Sequence, residues 1–148
     1  MPGLLPHATD LAIRNDVAEL AILRDALDRL GEEFRIPSEP LRQLQVALDE
    51  MVSNVIKYAW ADGGAHEARV RMTVRVDGVE VEIVDDGKMF DPLLAPAPER
   101  LPTGHRPKPG GVGIHMVKQL VDECAYARIN GHNHLTLTKR CAVVAADR

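Results

Sequence analysis

The sequence predicts an α/β domain built as a two-layer sandwich, in which a mixed and mainly antiparallel sheet carries helices on one face. Three observations lead to this class. The predicted elements follow the order β-α-α-β-β-loop-α-β-β. Two pairs of strand-like runs are joined by Asp77-Gly78 and by Asn130-Gly131, dipeptides typical of short hairpins. Two earlier segments have helical periodicity. Because hairpins outnumber crossovers, the helices are expected to gather on the apolar face of the sheet.

The first helix follows a short strand. We predict the strand over Asp10–Arg14 and a helix that extends from there to about Glu33. Asp16 is placed to cap this helix, and Glu19, three residues further on, would complete a capping box. Asn15 is the alternative cap.

The second helix has the best amphipathic pattern in the chain. It is predicted over Leu41–Trp60, and Ser38 is expected to cap its N-terminus. Glu50, Asn54 and Lys57 lie along one edge of its apolar stripe. Because Glu50 and Asn54 are four residues apart, they project side by side. This edge is either an ordinary polar border or one wall of a site, and the helix alone does not decide between the two.

The second half of the chain contains two hairpins, separated by a proline-rich loop and a helix. Six of the ten prolines fall in residues 91–109, and so long a loop in a compact domain is usually functional or disordered. The strands of the first hairpin are alternating apolar and polar runs. The predicted bounds of the four strands, with that of the helix, are 68–76, 79–85, 114–123 (helix), 125–129 and 134–139.

Length and composition indicate one globular domain. The chain has 148 residues, of which 45% are hydrophobic, and we expect residues 10–140 to fold with flexible termini at 1–9 and 141–148. A net charge of −4 and an aromatic content of 3% argue against direct nucleic-acid binding. No signal peptide or membrane-length apolar run is visible, so we expect a cytoplasmic protein without membrane contact. Cys124 and Cys141 are interpreted as reduced thiols.

Two further clusters could bind a ligand. Asp85-Asp86-Gly87 ends a strand, where a carboxylate can accept a hydrogen bond from an amino group and a glycine lets a flat ligand approach. A simple turn is the alternative interpretation. Gly110-Gly111-Val112-Gly113 opens a helix, where free backbone amides favour phosphate. Loop flexibility explains that cluster equally well, and it matches neither a Walker loop nor a Rossmann fingerprint.

Together, the three clusters resemble the Bergerat ATP-binding fold of gyrase and the histidine kinases. The shared pattern is a helix with E-x-x-x-N, a strand ending in D-x-G, a variable loop and G-G-x-G opening a helix. The stretches DDGKMFDP, GGVGIHMVKQLVDE and NHLTLTKR are most similar to the anti-sigma-factor serine/threonine kinase branch of that histidine-kinase-like superfamily. The resemblance covers about residues 10–140.

The resemblance implies a set of residues that bind ATP and Mg²⁺. They are Glu50 as general base, Asn54 as Mg²⁺ ligand, Asp85 and Gly87 at the adenine, Gly110, Gly111 and Gly113 along the phosphates with Ile114 beside them, and Thr136 behind the adenine. A carboxylate that deprotonates a hydroxyl and an amide ligand for Mg²⁺ suit phosphoryl transfer.

The chain departs from the family pattern at two positions. Met89 replaces the usual second glycine of D-x-G-x-G and is expected to narrow that side of the pocket. Lys57 either contacts a phosphate or is simply solvated. His132-Asn133-His134, in the last hairpin, is interpreted as an ordinary surface segment because a third metal ligand cannot be placed.

By resemblance, the chain is an ATP-dependent serine/threonine kinase that phosphorylates an anti-anti-sigma (STAS-type) protein and sequesters a sigma factor. A homodimer through the first strand and helix is also implied. Two alternatives are a nucleotide-gated regulator that transfers no phosphate and a stand-alone histidine-kinase-like ATPase domain. Glu50 favours the kinase, because a protein that only binds nucleotide needs no carboxylate at that position.

Overall fold

The computed structural model describes residues 4–94 and 111–143 as a five-stranded sheet with three α-helices. Every strand pairing is antiparallel, and the strand order is β1-β2-β3-β5-β4. The elements in chain order are β1 (His7–Arg14), a 3-10 turn (Val17–Glu19), α1 (Leu20–Glu33), α2 (Ser38–Tyr58), β2 (Glu67–Arg75), β3 (Gly78–Asp85), a 3-10 turn (Pro92–Leu94), α3 (Gly111–Leu120), β4 (Glu123–Ile129) and β5 (His132–Arg140).

The helices cover one face of the sheet, as the alternation along the strands predicts. Val70, Met72 and Val74 of β2 are buried, whereas the three arginines on the other face of this strand (Arg69, Arg71 and Arg75) are exposed. The buried residues of the strands form one core with those of α1, α2 and α3. The predicted two-layer sandwich is therefore confirmed, with a sheet that is antiparallel throughout the described residues instead of mixed.

Local signals set most of the element ends. Asn130 and Gly131 have φ values of 50° and 78°, which a two-residue turn with two positive φ angles requires. The side chain of Asp16 accepts the Ala18 N–H and caps the 3-10 turn that leads into α1, whereas α1 itself has no capping side-chain bond. Glu19, however, does not complete a capping box, because its carboxylate pairs with Arg14.

The start of α2 and both termini differ from the sequence-based expectation. Pro37 is the N-cap of α2, and Ser38 lies inside the first turn without a capping side-chain bond. Strand β1 begins at His7, so residues 7–9 belong to the sheet and not to a flexible end. At the other end, Cys141 N–H donates to the Asp77 carbonyl at 3.0 Å, and Val143 is buried. The domain is thus longer than predicted at each end.

No helix in the described part of the chain is both long enough and apolar enough to cross a membrane.

Candidate active site

A cavity of about 240 Å³ lies between the helical layer and the sheet, lined by residues of α2, β3, α3, β4 and β5. Most of its walls are apolar, including Met51, Ile83 and Ile114. The polar groups that line it include Asp85 from the sheet and Asn54 from α2. An apolar cavity with a few converging polar groups is the usual form of a small-molecule site.

Asp85 presents a carboxylate oxygen to this cavity. As the last residue of β3, it shares the inward-facing parity of Val81 and Ile83 and is only 5% exposed. Its Oδ1 accepts the Gly87 N–H at 2.9 Å and the Asn133 amide at 3.0 Å. Within the described residues, Oδ2 has no hydrogen-bond partner, so it can accept one from a ligand.

Gly87 is required by a close approach of α2. A β-carbon added there would lie 2.5 Å from the Ala59 carbonyl oxygen, just past the end of that helix. The Lys88 N–H donates to the same carbonyl at 2.9 Å, and Arg128 donates to the Gly87 carbonyl at 2.8 Å. The glycine therefore lets the loop press against the protein itself, where the sequence suggested an approaching ligand.

Glu50 and Asn54 are neighbours on α2, but of the two only Asn54 lines the cavity. Asn54 lines the cavity, and its Nδ2 is buried without a hydrogen-bond partner among the described residues. Glu50, one helical turn earlier, lies against α3, because a β-carbon added at Gly113 would overlap its carboxylate. Gly113 belongs to the first turn of α3, where backbone N–H groups lack helical partners and favour anions.

The remaining residues predicted on the phosphate side are Gly110, Gly111 and Ile114. Gly111 is the first residue of α3, and Ile114 lines the cavity and is buried. Gly110 lies outside the described residues. Lys57 is exposed and does not line the cavity, so its role stays open.

Thr136 and Met89, both expected at the base, do not line the cavity. Thr136 pairs with Glu82, whose side chain faces away from the helices, so the prediction that Thr136 backs the adenine is wrong. The reason is strand periodicity: Leu135 and Leu137 take the inward positions of β5. Met89 was expected to narrow the pocket, but its side chain is 67% exposed and does not line the cavity. Its neighbours Lys88 and Phe90 line the cavity at this point.

Asn133 and Tyr126 line the cavity and were missed. Asn133 faces Asp85 directly across the β3–β5 pairing, and the Tyr126 hydroxyl donates to its amide oxygen. The alternation along β5 indicates its inward position, because Asn133 is two residues before the apolar Leu135 and lies on the same face of the strand. In the sequence it stands between His132 and His134, in a segment interpreted as an ordinary part of the surface.

The residues present suit a bound adenine nucleotide and Mg²⁺. The cavity offers apolar walls for a flat base and a free acceptor at Asp85. The carboxamide oxygen of Asn54 is a suitable ligand for a hard cation, since Mg²⁺ takes oxygen ligands and draws most of them from phosphate and water. The unpartnered Nδ2 of the same amide can donate a hydrogen bond to a phosphate or a water molecule. The N-terminus of α3 would meet the phosphates.

The fold and this cavity define a class of small α/β domains with an apolar pocket between helices and sheet. The family of histidine kinase-like ATPase domains matches residues 13–139, and the chain belongs to that family. The predicted resemblance to its serine/threonine kinase branch is confirmed by two relatives. "Serine/threonine-protein kinase BtrW" of Bordetella bronchiseptica is 33% identical over 101 residues, 67% of this chain and 70% of the relative. "Serine-protein kinase RsbW" of Bacillus subtilis is 25% identical over 124 residues, 80% and 74% of the two chains.

A solved structure shares the fold. The crystal structure of the RsbU and RsbW domains of a Mycobacterium tuberculosis protein superimposes with a TM-score of 0.65 at 15% identity. The match covers 95% of this chain and 35% of that chain, so the present chain corresponds to about a third of the other molecule.

Proposed function

We propose that this chain is an ATP- and Mg²⁺-dependent protein kinase that phosphorylates serine or threonine in an anti-anti-sigma (STAS-type) partner. The observation that carries the proposal is that Asp85 and Asn54 line one cavity, while Glu50, one turn before Asn54 on α2, holds its carboxylate against the first turn of α3. A base-reading carboxylate and the Asn54 amide would suffice for nucleotide binding. A second carboxylate, beside a helix N-terminus that favours phosphate, is what transfer to a hydroxyl requires.

Each side chain has a distinct role in this proposal. Asp85 Oδ2 accepts a hydrogen bond from the amino group of adenine, and the apolar walls enclose the ring. Asn54 would hold Mg²⁺, which when bound neutralises charge on the phosphate oxygens. Glu50 takes the proton of the attacking hydroxyl, whose oxygen bonds to the γ-phosphorus as ADP leaves. The first turn of α3 supplies N–H groups on the phosphate side.

The names of the relatives support a kinase over a nucleotide-gated regulator that transfers nothing. They are called serine/threonine-protein kinase and serine-protein kinase, at 33% and 25% identity. We also propose that the chain sequesters a sigma factor when it is not engaged with its substrate, and that it forms a homodimer through β1 and α1. Since sigma factors act during transcription, we propose a cytoplasmic location.

Replacing the proposed base separates transfer from binding. We expect Glu50→Gln to bind ATP as the wild type does and to transfer γ-phosphate to the anti-anti-sigma protein about a hundredfold more slowly, the usual contribution of a general base. Label transfer, read by autoradiography, and calorimetric ATP binding measure the two properties.

The matched control is Glu39→Gln, an exposed carboxylate in the first turn of the same helix. It should leave both properties unchanged. If the wild type binds ATP but labels no partner, the chain is a nucleotide-gated regulator; if Glu50→Gln transfers at the wild-type rate, Glu50 is not the base.

A further inference from the structure

The Asn133 carboxamide is buried opposite Asp85 and uses its full hydrogen-bonding capacity. It is 6% exposed. Its Nδ2 donates to Asp85 Oδ1 at 3.0 Å and to the Lys88 carbonyl at 2.9 Å. Its Oδ1 accepts from the Tyr126 hydroxyl at 2.5 Å and from the Phe90 N–H at 3.3 Å. Two donor hydrogens and two acceptor positions are all that an amide has.

Only one orientation of this amide fits its surroundings. The Lys88 carbonyl can only accept and the Phe90 N–H can only donate, so a reversed amide would set oxygen against oxygen and N–H against N–H. Two backbone groups of the loop after β3 thereby make Asn133 a donor toward Asp85. Together with the Gly87 N–H, this gives Asp85 Oδ1 two donors.

The consequence falls on the other carboxylate oxygen. With Oδ1 occupied by two donors, Oδ2 is the carboxylate oxygen that remains to accept a hydrogen bond from a ligand in the cavity. A purine that carries an amino group at its 6-position offers Oδ2 an N–H. A purine with a carbonyl at the same position would set an oxygen against Oδ2, and a buried acceptor without a donor is unfavourable.

We propose that Asn133 sets the base specificity of the site: by donating to Asp85, it makes the pocket select a 6-aminopurine nucleotide over a 6-oxopurine nucleotide. This inference rests on the proposed ATP site. Asn133 acts through Asp85 and is a positioning residue. The Tyr126 hydroxyl supplies the second hydrogen bond to the amide oxygen of Asn133. The hydrogen bond from Asn133 Nδ2 to Asp85 does not depend on it.

The substitution Asn133→Asp tests the inference because it keeps the side-chain shape and removes the donor. Two carboxyl groups this close share one proton, since adjacent like charges repel. That proton can lie on Asp85 Oδ2, because Oδ1 still accepts the Gly87 N–H, and from Oδ2 it can be donated to a purine carbonyl. Calorimetric titration with ATP and with inosine triphosphate, both with Mg²⁺, measures the ratio of the two affinities.

We expect the wild type to prefer ATP by on the order of 100-fold, and Asn133→Asp to lower that preference by roughly tenfold or more. A purely structural role would weaken both nucleotides alike and leave the ratio unchanged. Asn133→Ser, which shortens the side chain and leaves Asp85 Oδ1 with the Gly87 donor, should lower the ratio as well, and it provides the test if Asn133→Asp does not fold.

His134→Gln is the matched control, because the next residue of β5 faces the opposite side of the sheet. It should keep the wild-type ratio. The inference is overturned if the folded Asn133 variants retain the wild-type ratio or if His134→Gln lowers it equally. A wild type that binds neither nucleotide would instead overturn the proposed ATP site itself.

Discussion

Asn54 should make the ligand-free protein less stable than it could be. Its Nδ2 is buried and has no hydrogen-bond partner among the described residues, a condition that costs about 1–3 kcal/mol. Leucine has the same branching at Cγ without polar atoms. We therefore expect Asn54→Leu to raise the free energy of unfolding of the ligand-free protein by about 1–2 kcal/mol, or roughly 3–6 °C in Tm for a chain of this length.

The order should reverse when Mg²⁺ and ATP are present. A ligand at about 100 times its Kd stabilises the folded state by about 2.7 kcal/mol. The wild type should gain this increment, whereas Asn54→Leu has lost the proposed Mg²⁺ ligand and should gain little. Thermal unfolding followed by circular dichroism measures the four Tm values, those of the wild type and of Asn54→Leu, each with and without Mg²⁺ and ATP.

Ser53→Ala is the matched control for this experiment. It lies next to Asn54 in α2, does not line the cavity, and gains helix propensity by about 0.5 kcal/mol, as Asn54→Leu does. Asn54→Leu should therefore exceed Ser53→Ala in ligand-free stability. The reasoning is refuted if Asn54→Leu melts at or below the control without ligand, or if it keeps the full wild-type shift with Mg²⁺ and ATP.

Two further changes probe the site and its surroundings. Gly113→Ala should displace the Glu50 carboxylate and slow phosphate transfer by about 100-fold, because small misplacements of a catalytic group are costly; normal transfer would show that the contact is unimportant. Two hydrogen bonds, first from the Gly64 N–H and then from the His66 imidazole, lower the pKa of Asp62 below its ordinary value of 3.8. The ionised Asp62 therefore stabilises the folded protein above that pH, and this contribution is lost as the pH falls through the lowered pKa. Asp62→Asn should thus lower Tm at neutral pH and match the wild type in acid; an equal difference at both would contradict this.

Most of the fold follows from local patterns in the sequence. The Asn130-Gly131 turn determines how β4 and β5 pair, since Ile129 faces His132 directly across it. The apolar stripe of α2 likewise identified its buried face, and its polar edge lines the cavity at Asn54. These signals lie within a few residues of the structure they specify.

Strand parity could have corrected the two errors made in β5. Leu135 and Leu137 mark the inward face, so Thr136 had to face outward and Asn133 inward. The family resemblance suggested that a residue of this strand lies behind the adenine, but it did not say on which face of the strand that residue should lie. The alternation in the sequence was the better guide.

Other features depend on approaches between distant segments and were not predictable from local pattern. Gly87 and Gly113 both looked like flexible or ligand-facing glycines. The structure shows Gly87 pressed against the backbone after α2 and Gly113 against the Glu50 carboxylate. Only the tertiary packing of α2 against the loop and α3 creates those contacts.

Calorimetric titration of ATP, with Mg²⁺, into the wild type and into Asp85→Ala tests the central claim most directly. Asp86→Ala is the control, because the neighbouring carboxylate is exposed and bonds to Trp60. We expect ATP to bind the wild type and the control alike, and Asp85→Ala to bind roughly 10- to 100-fold more weakly, the loss of one hydrogen bond to a charged group. Equal affinity of Asp85→Ala and the wild type, or no binding by the wild type, would contradict the assignment of this cavity as an ATP site.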